Sequence, residues 1–141
     1  MSLKVELKPG ERLIVGNCLI TNADQRIRLF IDGKAPILRE KDILSPQTAN
    51  SPARRIYLAV QLMYLDGNLE TLRNDYFSLV TDMVRAAPST TAIIDNINNE
   101  ILTGSLYKAL KAAKKLIQYE DLLLNAAAGS AGLPAGGQAN G

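Results

Sequence analysis

Residues 36–65 read PILREKDILSPQTANSPARRIYLAVQLMYL, and within this stretch the chain changes texture. Before it, apolar residues alternate with polar ones; after it, they recur at helical spacing. Its first part sets a charged cluster, Arg39 to Asp42, between two apolar pairs, Ile37-Leu38 and Ile43-Leu44. Its second part is apolar on most sides: Ile56, Ala59, Val60 and Met63 fill one stripe, and Leu58, Leu62 and Leu65 the next. A helix of that kind belongs inside a fold. The others are expected to pack against it.

Working back from this stretch, Leu3, Val5 and Leu7 alternate with Lys4, Glu6 and Lys8, the pattern of a half-buried strand. Pro9-Gly10 supplies a turn, Arg12–Val15 a second strand, Gly16-Asn17 another turn and Cys18–Thr21 a third strand. From Arg26 to Ile31 the alternation puts Ile27, Leu29 and Ile31 on one face and Arg26, Arg28 and Phe30 on the other. Asp32-Gly33 is a hairpin signal, with Ala35–Arg39 as the returning strand. Residues 1–44 thus predict a small antiparallel β-sheet or barrel of four or five strands. A unit that small is marginal alone. It needs a helical partner, a second copy of itself as in a homodimer, or both.

Working forward, residues 45–128 predict a four-helix region, which makes the chain α+β. Ser51 caps the first helix with Pro52 in its first turn, and Asp66-Gly67-Asn68 ends it. The second runs from about Leu69 to Ala87 on a stripe of Leu69, Leu72, Tyr76, Leu79, Val80 and Met83. Pro88 stops it, and Ser89 is expected to cap a third helix carrying Ile93, Ile94, Ile97 and Ile101. The fourth spans about Leu106–Ala127, with Leu106, Leu110, Ala113, Ile117 and Leu124 inward. Residues 129–141, small and uncharged, read as a disordered tail.

Of the 141 residues 47% are apolar, enough for a core, and the net charge is only +2. Residues 1–44 hold eight Lys/Arg against six Asp/Glu, while residues 45–128 hold eight of each, so the excess lies on the β-rich unit. The chain has no histidine and one cysteine, Cys18, read as a small buried thiol beside Leu19 and Ile20. Those two facts remove the His-dependent nucleophile schemes and the usual zinc sites. Gly33-Lys34 lacks the rest of a P-loop, and no dinucleotide fingerprint is present. Glu40 and Asp42 have nothing to set their pKa values apart. The expectation is a protein without enzymatic activity, cofactor or metal. No apolar run is long enough to span a bilayer and no signal-peptide core is present, which points to the cytoplasm.

What chemistry remains is cationic. Arg39 and Lys41, with Lys4, Lys8, Arg26 and Arg28, could pair with phosphate, and Phe30 beside Arg28 could stack on a base. The bland alternative is a solvated sheet face kept soluble by charge. On the fourth helix Lys108, Lys111 and Lys115 share a face with Lys114 nearby, and here too a plain outer face is the ordinary reading. Arg54 and Arg55 open the first helix against its dipole, which calls for an internal carboxylate, Asp42 or Glu40. Leu122, Leu123 and Leu124 keep the fourth helix apolar past Tyr119 on more than one side, as a self-association surface or a seat for another helix would.

Two family resemblances attach to these residues. PILREKDIL followed by SPARRIYLAVQLMYL, with the opening LKVELKPGERLIVGN, AAPST and the later KLI.YE, resembles the flagellar regulator family FlbT over about Leu3–Glu120. That resemblance implies a post-transcriptional regulator that binds the untranslated leader of flagellin mRNA and promotes its degradation, with a helical regulatory partner, FlaF. The alternative it leaves is a flagellar checkpoint module that binds an apolar helix and touches RNA only indirectly. Residues 3–44 are also similar to the carbon storage regulator family, through GERLIVG and ILREKDI. That similarity implies strand exchange between two chains and an RNA site on their first and last strands. Arg39 matches one of that family's RNA-contacting arginines; the other falls at Leu7, next to Lys8.

Overall fold

The computed structural model describes residues 2–67 and 69–132. The alternating segments form β1 (Ser2–Leu7), β2 (Arg12–Val15), β3 (Cys18–Thr21), β4 (Ile27–Asp32) and β5 (Ile37–Arg39). They make two small antiparallel sheets, β1–β4 and β3–β2–β5. Asp32-Gly33 does not close the expected hairpin: β5 pairs with β2, with Leu13 opposite Arg39 and Val15 opposite Ile37. Two contacts redirect the chain. The Gly16 N–H donates to the Pro36 carbonyl at 2.7 Å, drawing β5 alongside β2. The other edge of β5 is occupied, because the Ile37 N–H donates to the Tyr64 hydroxyl at 3.2 Å and that hydroxyl donates to the Ile37 carbonyl at 3.1 Å.

The core of the β unit is small: Val5, Leu7 and Leu13, with Val15, Leu29, Ile31 and Ile37 partly covered against them. β3 lies at an edge and all four of its residues are exposed. Cys18 is therefore exposed rather than buried, because no layer covers its strand. Asn22 joins the two sheets. Its buried amide nitrogen lies within hydrogen-bond distance of the carbonyls of Leu7 (3.1 Å), Lys8 (3.0 Å) and Gln25 (2.7 Å). Asn22→Ala would strip those carbonyls of a donor while keeping them covered, and is expected to cost about 2 kcal/mol in chemical denaturation. A loss below about 0.5 kcal/mol, the level of an ordinary surface change, would show that water replaces the amide without penalty.

The helices are α1 (Pro52–Asp66), α2 (Leu69–Ala86), α3 (Thr91–Leu102) and α4 (Leu106–Gly132). The Ser51 hydroxyl accepts the Arg54 N–H at 3.2 Å, as an N-cap should. Gly67, at φ +76°, ends α1 in the left-handed region that a side chain would strain. Ser89 caps nothing: a 3-10 turn, Pro88–Thr90, leads into α3, and the Ser89 hydroxyl instead accepts from the Tyr119 hydroxyl at 2.8 Å. The core joins Ile56, Val60 and Met63 of α1 to Tyr76 and Met83 of α2, Ile94 and Ile97 of α3, and Leu110 and Leu116 of α4. α1 packs against both α2 and α4, and α4 also against α3.

On α4 the inward face is Ala109, Leu110, Ala112, Ala113 and Leu116; Leu124, expected inward, is 56% exposed. Small alanines let α4 approach α1 and α3 at once. α4 also continues past the expected end at Ala127 to Gly132, since the alanines at 126–128 are strong helix formers. The rest of the segment read as a tail, residues 133–141, lies outside the described residues.

Candidate nucleic-acid interface

The site begins with three side chains one and two turns apart on α1: Tyr57, Gln61 and Tyr64. Each reaches the backbone of the segment after β4. The Tyr57 hydroxyl donates to the Asp42 carbonyl. Gln61 accepts the Leu44 N–H and donates to the Leu44 carbonyl, both at 2.9 Å, and Tyr64 holds Ile37 as described. Burial pushes the Tyr57 phenol well above its usual range, helped by the nearby Asp42 carboxylate, so it stays a neutral donor. Leu38 is buried within the helical core. Residues 37–44 are therefore sewn along α1, and α4 lies beside them.

Between the two runs a cleft of about 710 Å³. One wall carries Arg39, Lys41 and Asp42; the α4 wall carries Tyr107, Lys111, Lys114, Lys115 and Gln118, above a floor of Tyr57, Tyr64 and Leu110. Five cations thus face one carboxylate, and Lys114 forms an ion pair with that carboxylate, Asp42. Glu40 turns away from the cleft onto β2, accepting from the Arg12 backbone N–H at 2.8 Å and the Arg12 Nε at 3.2 Å. The Arg12 backbone N–H, and then its guanidinium, hold the Glu40 carboxyl below the usual range. The acidic members of the cluster are thus engaged, whereas Arg39, Lys41, Lys111 and Lys115 make no salt bridge among the described residues. At the mouth, the Lys111 ammonium sits 5.1 Å from the Tyr107 ring centroid. Tyr64 tilts against that ring at 44°, with centroids 5.8 Å apart.

The other cations read from the sequence lie elsewhere. Lys4, Arg26 and Arg28 are exposed on the outer face of the β1–β4 pair, where Glu6 forms ion pairs with Arg26 at 3.4 Å and Arg28 at 3.7 Å. Lys4 faces Phe30, whose ring is 64% exposed. Lys8 is in the β1–β2 turn. Lys108 stands outside the cleft; the α4 stripe that forms its wall starts one residue earlier, at Tyr107. Arg54 pairs with neither Asp42 nor Glu40. It meets Asp121 through two contacts of 3.3 Å and lies 3.7 Å from Glu120. Leu122 and Leu124 are exposed beyond the bundle, with Leu123 half-buried.

Sequence reasoning missed the α1 clamp. Its signal was present: Gln61 interrupts an apolar helix with a tyrosine four residues before and three after. Among the described residues, no group of three or more His, Cys, Asp or Glu could hold a metal ion. Nor is any described helix long and apolar enough to cross a membrane.

Known proteins match this chain over most of its length. A family model, "Flagellar protein FlbT", matches residues 3–124. A Bradyrhizobium diazoefficiens protein named "Probable flagellum biosynthesis repressor protein FlbT 1" is 62% identical over 87% of this chain and 85% of its own length. A Rhodopseudomonas palustris protein, "Probable flagellum biosynthesis repressor protein FlbT", is 48% identical over 89% of this chain and 99% of its own. The "Flagellum biosynthesis repressor protein FlbT" of Caulobacter vibrioides is 36% identical over 99% of both chains. No solved structure matches. A match that covers both the strand-bearing unit and the helices, at such identity, means that this chain belongs to the FlbT family of flagellar proteins.

Proposed function

We propose that the protein represses flagellum biosynthesis in the cytoplasm by binding the leader of flagellin mRNA and promoting degradation of the message. The repressor role rests on the names its relatives carry. The observation that carries the RNA reading is the meeting of Arg39 and Lys41 with Lys111 and Lys115 around one cleft, with the local carboxylates already engaged. Unpaired cations on two walls can follow a phosphate backbone, and RNA held there would be displaced from its own pairing and opened to nucleases. The second reading, a checkpoint module, rests on Leu122 and Leu124, exposed by 66% and 56% at the end of α4. A FlaF-like helical regulator would dock there with Leu123 and act on the RNA-bound form.

Titration of leader RNA with purified protein at rising salt tests the first reading. Four cations on a single strand predict a log–log slope of about −3. RNA retained only when the helical regulator is added, or an affinity indifferent to salt, would leave the module as the correct description.

A further inference from the structure

We infer that the cleft takes unpaired RNA, with a base stacked on Tyr107 and the adjoining phosphates on Arg39, Lys111 and Lys115. This rests on the RNA reading and adds the form of RNA that the site selects. Three features carry it. The first is size. At about 710 Å³ the space between β5 and α4 is that of a small-molecule pocket, about 300–1,000 Å³. It accommodates a short stretch of single strand, whereas an A-form duplex would rest across the rim with its bases inaccessible.

The second feature is the aromatic at the mouth. Tyr107 is 46% exposed. It is braced by Tyr64 beneath it, whose own hydroxyl is fixed to the Ile37 backbone. A supported, half-open ring is a stacking platform, and bases stack on such rings with little regard to sequence.

The third is Lys111. It lies over the Tyr107 ring with no carboxylate partner among the described residues. A cation over an exposed ring is held weakly. A base arriving on that ring displaces the ammonium, which the adjoining phosphate then receives, beside Lys115. An acidic protein segment would satisfy the same lysines, but it would leave Tyr107 without a role.

Binding of three RNAs to the full chain decides the matter: intact flagellin leader, single-stranded oligouridylate, and the same oligouridylate annealed to oligoadenylate. The single strand is expected to bind at least about tenfold more tightly than the duplex. Tyr107→Ala should lose about tenfold on the single strand and little on the duplex, while Tyr107→Phe keeps full affinity. Melting curves of both variants check that the exposed site folds normally. Equal binding of single strand and duplex, or an unchanged Tyr107→Ala, overturns the inference. So does an acidic peptide that competes as well as the oligouridylate does. A leader that binds while neither short RNA does sinks the inference and leaves the RNA reading standing. If the leader itself fails to bind, both fall together.

Discussion

Lys111→Glu combined with Lys115→Glu is expected to lower the affinity for leader RNA by a hundredfold or more. Each lysine faces the cleft without a salt-bridge partner among the described residues. Losing one cation–phosphate contact in partly screened surroundings is worth about 1 kcal/mol, and reversing the charge roughly doubles it. Two reversals therefore approach 4 kcal/mol, several hundredfold in the dissociation constant. The fold should tolerate the change, since both side chains are exposed. Indeed, Lys111 and Lys115 lie one turn apart and repel each other by a few tenths of a kcal/mol, a small standing cost that packing does not explain. Arg39→Ala should act in the same direction and by about tenfold. Arg26→Glu with Arg28→Glu is the contrasting pair. Those guanidiniums already flank Glu6 on another face, and their reversal should change affinity less than about threefold. Equal losses from both pairs, measured by salt-dependent titration, would show that overall charge rather than the cleft attracts RNA.

Glu120→Ala is expected to destabilise the protein by about 3 kcal/mol and to lower its melting temperature by about 10 °C. Glu120 is 5% exposed, and one carboxylate oxygen accepts the buried Ala53 N–H at 2.9 Å. It thus places a negative charge from α4 against the first turn of α1, where the helix dipole favours one. Alanine would leave that N–H covered and unbonded, and would remove one of the carboxylates that allow Arg54 to sit where the dipole disfavours it. The other, Asp121, holds Arg54 through two contacts of 3.3 Å. Glu120→Gln keeps an acceptor and should lose only about 1 kcal/mol. Thermal melts of the two variants separate the contributions. Identical losses would mean that charge, not the hydrogen bond, fastens α4 to α1.

Both experiments turn on pairings that sequence patterning does not reach. Period-two and period-3.6 patterns are local, and they located the five strands and the four α-helices, though not the end of α4, along with the Ser51 cap. They failed where a choice among distant partners decided the outcome. Asp32-Gly33 has the chemistry of a hairpin turn, yet β5 went to β2 because Gly16 and Tyr64 each claimed one of its edges. Cys18 looked like a core thiol because its neighbours are apolar, but a strand is buried only if another layer lies over it. Arg54 found Glu120 and Asp121, more than sixty residues away, rather than the nearer acids of the cluster.

The cleft shows the same division. Residue types alone determined that this chain would be α+β, would lack the histidine that Ser-His and Cys-His schemes need, and would concentrate cations in residues 39–41 and along α4. Only the folded chain decided that these two groups share one space. Their separation in sequence is bridged by Tyr57, Gln61 and Tyr64 gripping the segment after β4, and by small alanines that let α4 close against α1. Periodicity records which side of an element is apolar; which element it meets follows from shape, hydrogen-bond supply and charge pairing among segments that come together when the core forms.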